Sequence, residues 1–329
     1  MNGREEREAK IYIKIEEWLK DKPKYYNEFY KSITNKTADT KMVYLRNVHR
    51  FIIYMGENYD FNINNKQWTK KVKPSMVGEY MNQLSGENTT KAAQFYSIKY
   101  FFKYLLVDDI IKYNPCDNIE APRDNKEHEI VYLTTDEIKI LEDNIKSLRY
   151  DFTKSLERRE LVDRDYAIIM ILIYLGLRIS SLVELNIDDV DLDNNTIQIT
   201  EKGGKSRKIV FPNRIRDIII NYLHYRERFV NINKIKSNAL FFTHRGERIT
   251  RKAVDDVLQM STKGINKRIT PHKLRSTCAT AVYAATGDIY STMDVLGHKN
   301  INNTRRYASI SREKKIETMN ALDDYLNKS

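Results

Sequence analysis

Residues 167–180 read AIIMILIYLGLRIS, an unbroken apolar run from Ala167 to Leu177 that ends on a charged side chain, Arg178. The run is half the length of a bilayer-spanning helix, which needs about 20 residues, so it predicts a helix buried in a protein core. An arginine directly after it is expected near that core, where an unpaired charge is costly. Arg178 must therefore meet either a carboxylate or an incoming anion.

Beyond this helix the period of the pattern changes. Thr196-Ile197-Gln198-Ile199-Thr200 alternates, Lys202-Gly203-Gly204-Lys205-Ser206 supplies a turn, and Lys208-Ile209-Val210-Phe211 returns, which predicts an antiparallel hairpin. Helical patterns resume near Asn213 and continue to the end, where Ile316, Met319, Leu322 and Leu326 form an apolar stripe on a tail helix. On the other side of the run, Leu133-Thr134-Thr135-Asp136-Glu137 opens a helix with a threonine cap and early acids that suit the helix dipole.

The N-terminal part is helical throughout. Residues 5–34 read as one polar helix, and a second runs from Thr40 with Tyr44, Val48, Phe51, Ile52 and Met55 spaced three and four apart. A third spans Lys73–Leu84. A fourth starts at the capping cluster Asn88-Thr89-Thr90 and carries Phe95, Ile98, Phe101, Phe102 and Leu105. Together these can close one small bundle. A break follows from Asn114-Pro115 to Pro122-Arg123-Asp124-Asn125. The chain accordingly divides into a helical domain over residues 1–120, a linker over 121–130, and a second, mostly helical domain over 131–329 with a small antiparallel sheet.

Composition narrows the function. With 56 Lys and Arg against 45 Asp and Glu, the net charge of +11 favours an anionic polymer or surface, or gives simply a solvated basic exterior. The two cysteines, Cys116 and Cys278, lie far apart without metal-ligand spacing, which predicts reduced thiols and neither a disulfide framework nor a zinc site. The N-terminus is charged (Arg4, Glu5, Glu6, Arg7) and lacks the apolar stretch of a signal peptide, so a cytoplasmic protein with no membrane partner is expected.

The chemistry-bearing residues lie in the second domain. Lys202 sits beside two glycines at the hairpin tip, where it is either a solvated lysine or a proton donor able to reach a bound phosphate. Pro271-His272-Lys273-Leu274-Arg275 opens a helix, and His272 and Arg275, three apart, share a face near its N-terminus, a natural phosphate clamp. Leu296-Gly297-His298 and Thr304-Arg305-Arg306-Tyr307 follow. Tyr307 alone carries little weight in a chain with 22 tyrosines.

In combination and in this order, these fragments closely resemble the tyrosine recombinase (phage integrase) family, whose members include Cre and the bacterial Xer recombinases. The resemblance runs from about Thr40 to Tyr307, and its N-terminal part looks like that family's SAM-like core-binding domain, with Phe101-Phe102-Lys103-Tyr104-Leu105 and Asn114-Pro115. It implies a C-shaped clamp closing on duplex DNA and a covalent phosphotyrosine mechanism without cofactor, metal or ATP. The implied catalytic set is Arg178, Lys202, His272, Arg275, His298 and Tyr307, with Tyr307 the nucleophile and Lys202 the acid for the leaving 5′ oxygen. Phosphoryl transfer of this kind needs charge neutralised on non-bridging oxygens, which arginines and imidazoles can supply. One position departs from the family: a Glu or Asp is usual three residues after the first arginine, and here it is Ser181, with Glu184 the carboxylate one turn further on.

Basic residues flanking this set are candidate DNA contacts or solvated surface groups. They are Lys205 and Arg207 on the hairpin, Arg245, Arg248, Arg251 and Lys252 on a loop running into a helix, and Lys263, Lys267 and Arg268 before the HxLR helix. In the first domain the candidates are Thr89, Thr90 and Lys91, which start a helix. Such groups hold phosphates and do not read sequence. The expected partners are double-stranded recombination sites, three further copies in a homotetramer on two duplexes, and an accessory DNA-binding protein. Integration and excision of a mobile element is the favoured role. Resolution of chromosome or plasmid dimers, a type IB topoisomerase and a catalytically inactive DNA-binding regulator are the alternatives.

Overall fold

The computed structural model describes residues 3–123, 130–151, 161–200, 206–298 and 300–308, with the side chains at 303, 306 and 308 left aside. The hairpin tip with Lys202 and Lys205, and the tail carrying Ile316, Met319, Leu322 and Leu326, lie outside the described residues. Contacts divide the chain into two compact units, Glu5–Glu127, and His128–Ser329 grouped with Asn2–Arg4.

The first unit is all helical: α1 (Gly3–Leu19), α2 (Lys24–Ser32), α3 (Ala38–Tyr59), α4 (Pro74–Gln83) and α5 (Asn88–Val107). The single helix expected over residues 5–34 is two. Pro23 stands at the start of α2 in an extended conformation, φ −50° and ψ 146°, and its ring disfavours helical geometry for the residue before it. The expected cap at Asn88-Thr89-Thr90 is also displaced by one residue. Glu87 occupies the cap position without a side-chain hydrogen bond, and the polar cluster forms the first turn of α5.

The core of this unit is aromatic. Phe51 meets Tyr80 and Phe102 edge-on at 5.2 and 5.8 Å between ring centres, and Phe29 meets Phe101 at 5.1 Å. Edge-on geometry brings a positive ring edge to a negative face, so these contacts add to simple burial. Asn114-Pro115, read as the start of a linker, belongs to this core. Asn114 donates to Lys99 O at 3.1 Å and accepts from Cys116 N at 2.9 Å, and Cys116 is fully buried.

The second unit begins with α6 (Thr135–Ser147), where Thr134 and Glu137 form the expected reciprocal cap. The apolar run becomes α7 (Val162–Leu175), buried along most of its length. It packs against α9 (Asn213–Asn233) and α11 (Pro271–Thr286), which flank it within one core. Between them lie α8 (Ile179–Glu184) and a three-stranded antiparallel sheet in the order β1 (Val190–Asp191), β2 (Thr196–Thr200), β3 (Ser206–Val210). The predicted hairpin is β2–β3, with Ile197 opposite Ile209, and β1 adds a short edge strand. Ile197 and Ile199 point into the core and Gln198 out, as a period of two requires. The unit closes with α10 (Arg251–Ser261), α12 (Ile289–Leu296) and α13 (Asn302–Ala308), the last packed on α11 and α12. No helix among the described residues is long and apolar enough to cross a membrane. Both cysteines are free and buried, one in each unit, and burial pushes each thiol up to about 12.

Candidate active site

Three chain reversals in the second unit meet around one cleft. The first follows α7, where Gly176 adopts the left-handed conformation at φ 55° and ends the helix. A Cβ at this position would stand 2.8 Å from Leu296 Cδ2 and 3.1 Å from Cys278 Sγ, so both the backbone angle and the close approach of α11 and α12 call for glycine. The turn carries Arg178 out of the core. Arg178, expected near the core, is exposed at the start of α8. It has no carboxylate partner among the described residues. The apolar run ends one residue before it, at buried Leu177, and the left-handed glycine redirects the chain to the surface.

The second reversal begins α11, with Pro271 in its first turn, His272 exposed, and Arg275 one turn on and buried, 4% exposed. Arg275 donates Nη1 to Gly176 O and Nη2 to Leu296 O at 2.6 Å. Both acceptors lie at helix C-termini, where carbonyls are left without an intrahelical partner and carry partial negative charge. Main-chain dipoles orient the guanidinium without neutralising it. Burial, followed by the nearby Arg178 guanidinium, pushes Arg275 down to about 10, well below the ordinary guanidinium range.

The third reversal, from α12 through Gly297 and His298 to α13, brings in His298 and Tyr307. His298 Nδ1 lies 2.8 Å from Thr304 Oγ1. Burial depresses its pKa to about 4, with Arg275, Arg178, His272 and Arg207 adding to the effect in that order. The ring is therefore neutral at physiological pH. Tyr307 is 3% exposed and packs with Cys278, Ala279 and Leu296 of its own chain.

The resulting cleft, about 560 Å³, is lined by Leu177, Arg178, Ile179, Ser180, Arg251, Pro271, His272, Arg275, His298, Asn302 and Tyr307. Five of the six residues expected to act together are in this lining, and the sixth, Lys202, falls in the hairpin tip that is not described. The cleft has three arginines and two histidines and, among the described residues, no carboxylate. Ser181 is buried, and neither it nor Glu184 is part of the lining. An enclosure of this kind attracts an anion: two like-charged guanidiniums, one of them desolvated, gain most when a phosphate sits between them.

The flanking basic residues separate into those held by the protein and those facing outward. Arg207 donates to Asp294 O at 2.8 Å and Val295 O at 3.3 Å, which ties β3 to the end of α12. Arg248 donates to Leu185 O at 2.9 Å and to Asn186 Oδ1 at 2.6 Å. Lys267 pairs with Glu137 at 2.8 Å, and Lys252 with Asp256 at 3.4 Å. Arg245, Lys263 and Arg268 are exposed, as are Thr89 and Thr90, with Lys91 half-buried beside them in the first turn of α5. Arg251, which reads from sequence as one of several flanking cations, is in the cleft itself. Thr304 was not legible as a site residue at all.

The phage integrase family model matches residues 132–314, more than half of the chain. The chain belongs to this family. It is a tyrosine recombinase, of the class that cleaves and rejoins DNA at specific sites. Its relatives include tyrosine recombinase XerC of Leptospira interrogans, 26% identical over 308 residues that make up 89% of this chain and 95% of that protein. They also include XerD of Listeria monocytogenes, 28% identical over 84% of this chain and 89% of that protein. Among solved structures, the fold is shared with the XerH site-specific recombinase bound to its palindromic difH substrate. That match has a TM-score of 0.64 and 20% identity, covering 88% of this chain and 81% of that one. It is also shared with the Tn1549 transposon integrase in complex with transposon right-end DNA, at a TM-score of 0.61 and 20% identity over 89% of this chain and 96% of that one.

Proposed function

We propose that this recombinase opens one DNA strand by attack of Tyr307 on a phosphate held between Arg178 and Arg275. The observation that carries the assignment is the cleft: it gathers both arginines, His272, His298 and Tyr307, and among the described residues no carboxylate opposes an anion there. As Tyr307 Oη bonds to phosphorus, the bond to the 5′ oxygen breaks. The phenolic proton passes to His272, and Lys202 delivers a proton to the departing oxygen. Arg178 and Arg275 neutralise the charge on the non-bridging oxygens, and His298 donates a hydrogen bond to one of them. The products are a 3′-phosphotyrosine and a free 5′-hydroxyl, and the retained phosphodiester energy allows rejoining by the reverse steps without ATP.

A nicked substrate whose short leaving strand diffuses away should trap the enzyme on the 3′ end of the DNA. The adduct should form in EDTA and be absent in Tyr307→Phe. Lys202→Ala should regain cleavage on a substrate with sulfur as the bridging 5′ atom, because a thiolate leaves without protonation. An adduct in the Phe variant would assign the nucleophile to another tyrosine.

Recombination joins two duplexes, so four protomers are needed on double-stranded sites, assisted by an accessory protein. The exposed cations Arg245, Lys263 and Arg268, with Thr89, Thr90 and Lys91 in the other unit, are our candidates for backbone phosphate contacts. For the biological role we retain integration and excision of a mobile element. A second reading, resolution of chromosome or plasmid dimers, is favoured by the extent of the similarity to XerC and XerD. Disruption of the gene separates the two readings. Loss of a circular excision product supports the first, and accumulation of chromosome dimers supports the second.

A further inference from the structure

Thr304 stands three residues before Tyr307 on α13 and is fully buried, and its hydroxyl has one hydrogen-bond partner among the described residues, His298 Nδ1 at 2.8 Å. This departs from its neighbours. Thr277 and Thr292 return their hydroxyl protons to the carbonyl four residues back, to Lys273 O at 2.9 Å and Asp288 O at 2.9 Å, as helical threonines commonly do. Thr304 makes no such bond.

The proton accounting follows from that. A hydroxyl has one proton to donate, and a buried donor without an acceptor is costly. If His298 carried its proton on Nδ1, that N–H would point at Thr304 Oγ1 and the threonine's own proton would be buried with nowhere to go. If Thr304 donates to the Nδ1 lone pair, every group is satisfied and the ring proton sits on Nε2, the nitrogen left available to the cleft that His298 lines. Double protonation is opposed first by burial of the ring and then by the positive field of Arg275 and Arg178.

We propose that Thr304 is a positioning residue whose hydroxyl donates to His298 Nδ1 and thereby sets His298 as the Nε2–H tautomer, a hydrogen-bond donor to the phosphate. The inference rests on the cleavage reading above. It also links two events: because Thr304 and Tyr307 share α13, the helix that delivers the nucleophile also sets the tautomer of a phosphate-binding group. His298 is a correct donor only while α13 is seated.

The test is single-turnover adduct formation by the full chain on the nicked substrate, in two backgrounds. In the native background Thr304→Val, which keeps the shape and removes the hydroxyl, should slow cleavage by about tenfold to a hundredfold, less than the roughly 100- to 1,000-fold cost of deleting an oriented transition-state donor, because the imidazole stays and only its tautomer is released. Thr304→Ser should restore the rate. In a His298→Trp background the same valine substitution should cost nothing, because an indole N–H cannot accept from a hydroxyl. An equal loss in both backgrounds would mean that Thr304 only packs α13, and would overturn the proposal. Nitrogen-15 spectra of histidine-labelled full-length protein without DNA decide the same point independently of activity. They should show His298 protonated on Nε2 in the native chain and a mixture in Thr304→Val. An Nδ1–H signature in the native chain overturns the proposal. Failure of the native chain to form any Tyr307 adduct is a different result, and counts against the cleavage reading instead.

Discussion

Replacing Gly176 by alanine should damage stability and catalysis through one small atom. Two costs add. A side chain in the left-handed region, here φ 55°, costs about 1–2 kcal/mol. The new Cβ would then sit 2.8 Å from Leu296 Cδ2 and 3.1 and 3.2 Å from Cys278 Sγ and Cβ, so the junction of α7, α11 and α12 must open. Overpacking a core of this kind costs about 1–3 kcal/mol. The sum is about 2–5 kcal/mol. The control is Gly264→Ala in the loop between α10 and α11, where φ is +80° and a Cβ meets nothing within 4 Å. It should lose only the backbone share, about 1–2 kcal/mol. Urea denaturation of the two variants therefore isolates the packing cost. The catalytic cost follows from the same geometry. Gly176 O and Leu296 O are the two acceptors that aim Arg275, and displacing them by a fraction of an ångström should slow adduct formation about tenfold to a hundredfold. Gly264→Ala should cleave at the native rate. If Gly176→Ala is no less stable than Gly264→Ala and cleaves normally, the reasoning about this junction is wrong.

The remaining expectations concern charge. His298 has a folded-state pKa near 4 against an ordinary 6.5, so the unfolded chain takes up a proton that the folded chain refuses. Its contribution to stability is intact above pH 6.5 and is lost as pH falls from 6.5 toward 4. Once solvent screening of this half-buried ring is allowed for, the native protein should lose roughly 1 kcal/mol more than His298→Gln between pH 7 and 5. Matching urea profiles for the two proteins would refute the shift. Ser181→Glu should raise the cleavage rate, or leave it unharmed, by placing a negative charge close to the arginines and imidazoles. A large loss of activity in a folded variant would give the serine a role of its own. Cutting the chain in the linker should give fragments whose DNA affinity falls less steeply with salt than the whole, since each neutralised phosphate adds about 0.9 to the slope. A single fragment with the full affinity and slope would remove the other unit from the interface.

Much of this molecule is legible one residue at a time. The apolar run 167–177 is a buried helix because nothing in it tolerates water. The alternation at 196–200 is a strand because it buries every second side chain, and the Thr134–Glu137 pair caps a helix by strictly local chemistry. Arg178, His272, Arg275, His298 and Tyr307 could be read as a set through their order, which resembles that of the tyrosine recombinase family, and the cleft contains all five. The surroundings of those groups were settled only by the tertiary structure. Arg178 was expected near the core and is exposed, because a left-handed glycine turns the chain outward just before it. Arg207, Arg248 and Arg275 look alike as letters. All three hold main-chain carbonyls, and only Arg275 does so inside the cleft. Thr304 carries no sequence signal, since a threonine hydroxyl takes its meaning from its acceptor. The physical reason is common to all of these cases. Every residue has a carbonyl, and which of them face an arginine, or fail to face a threonine, depends on how helices that are distant in sequence come to end side by side.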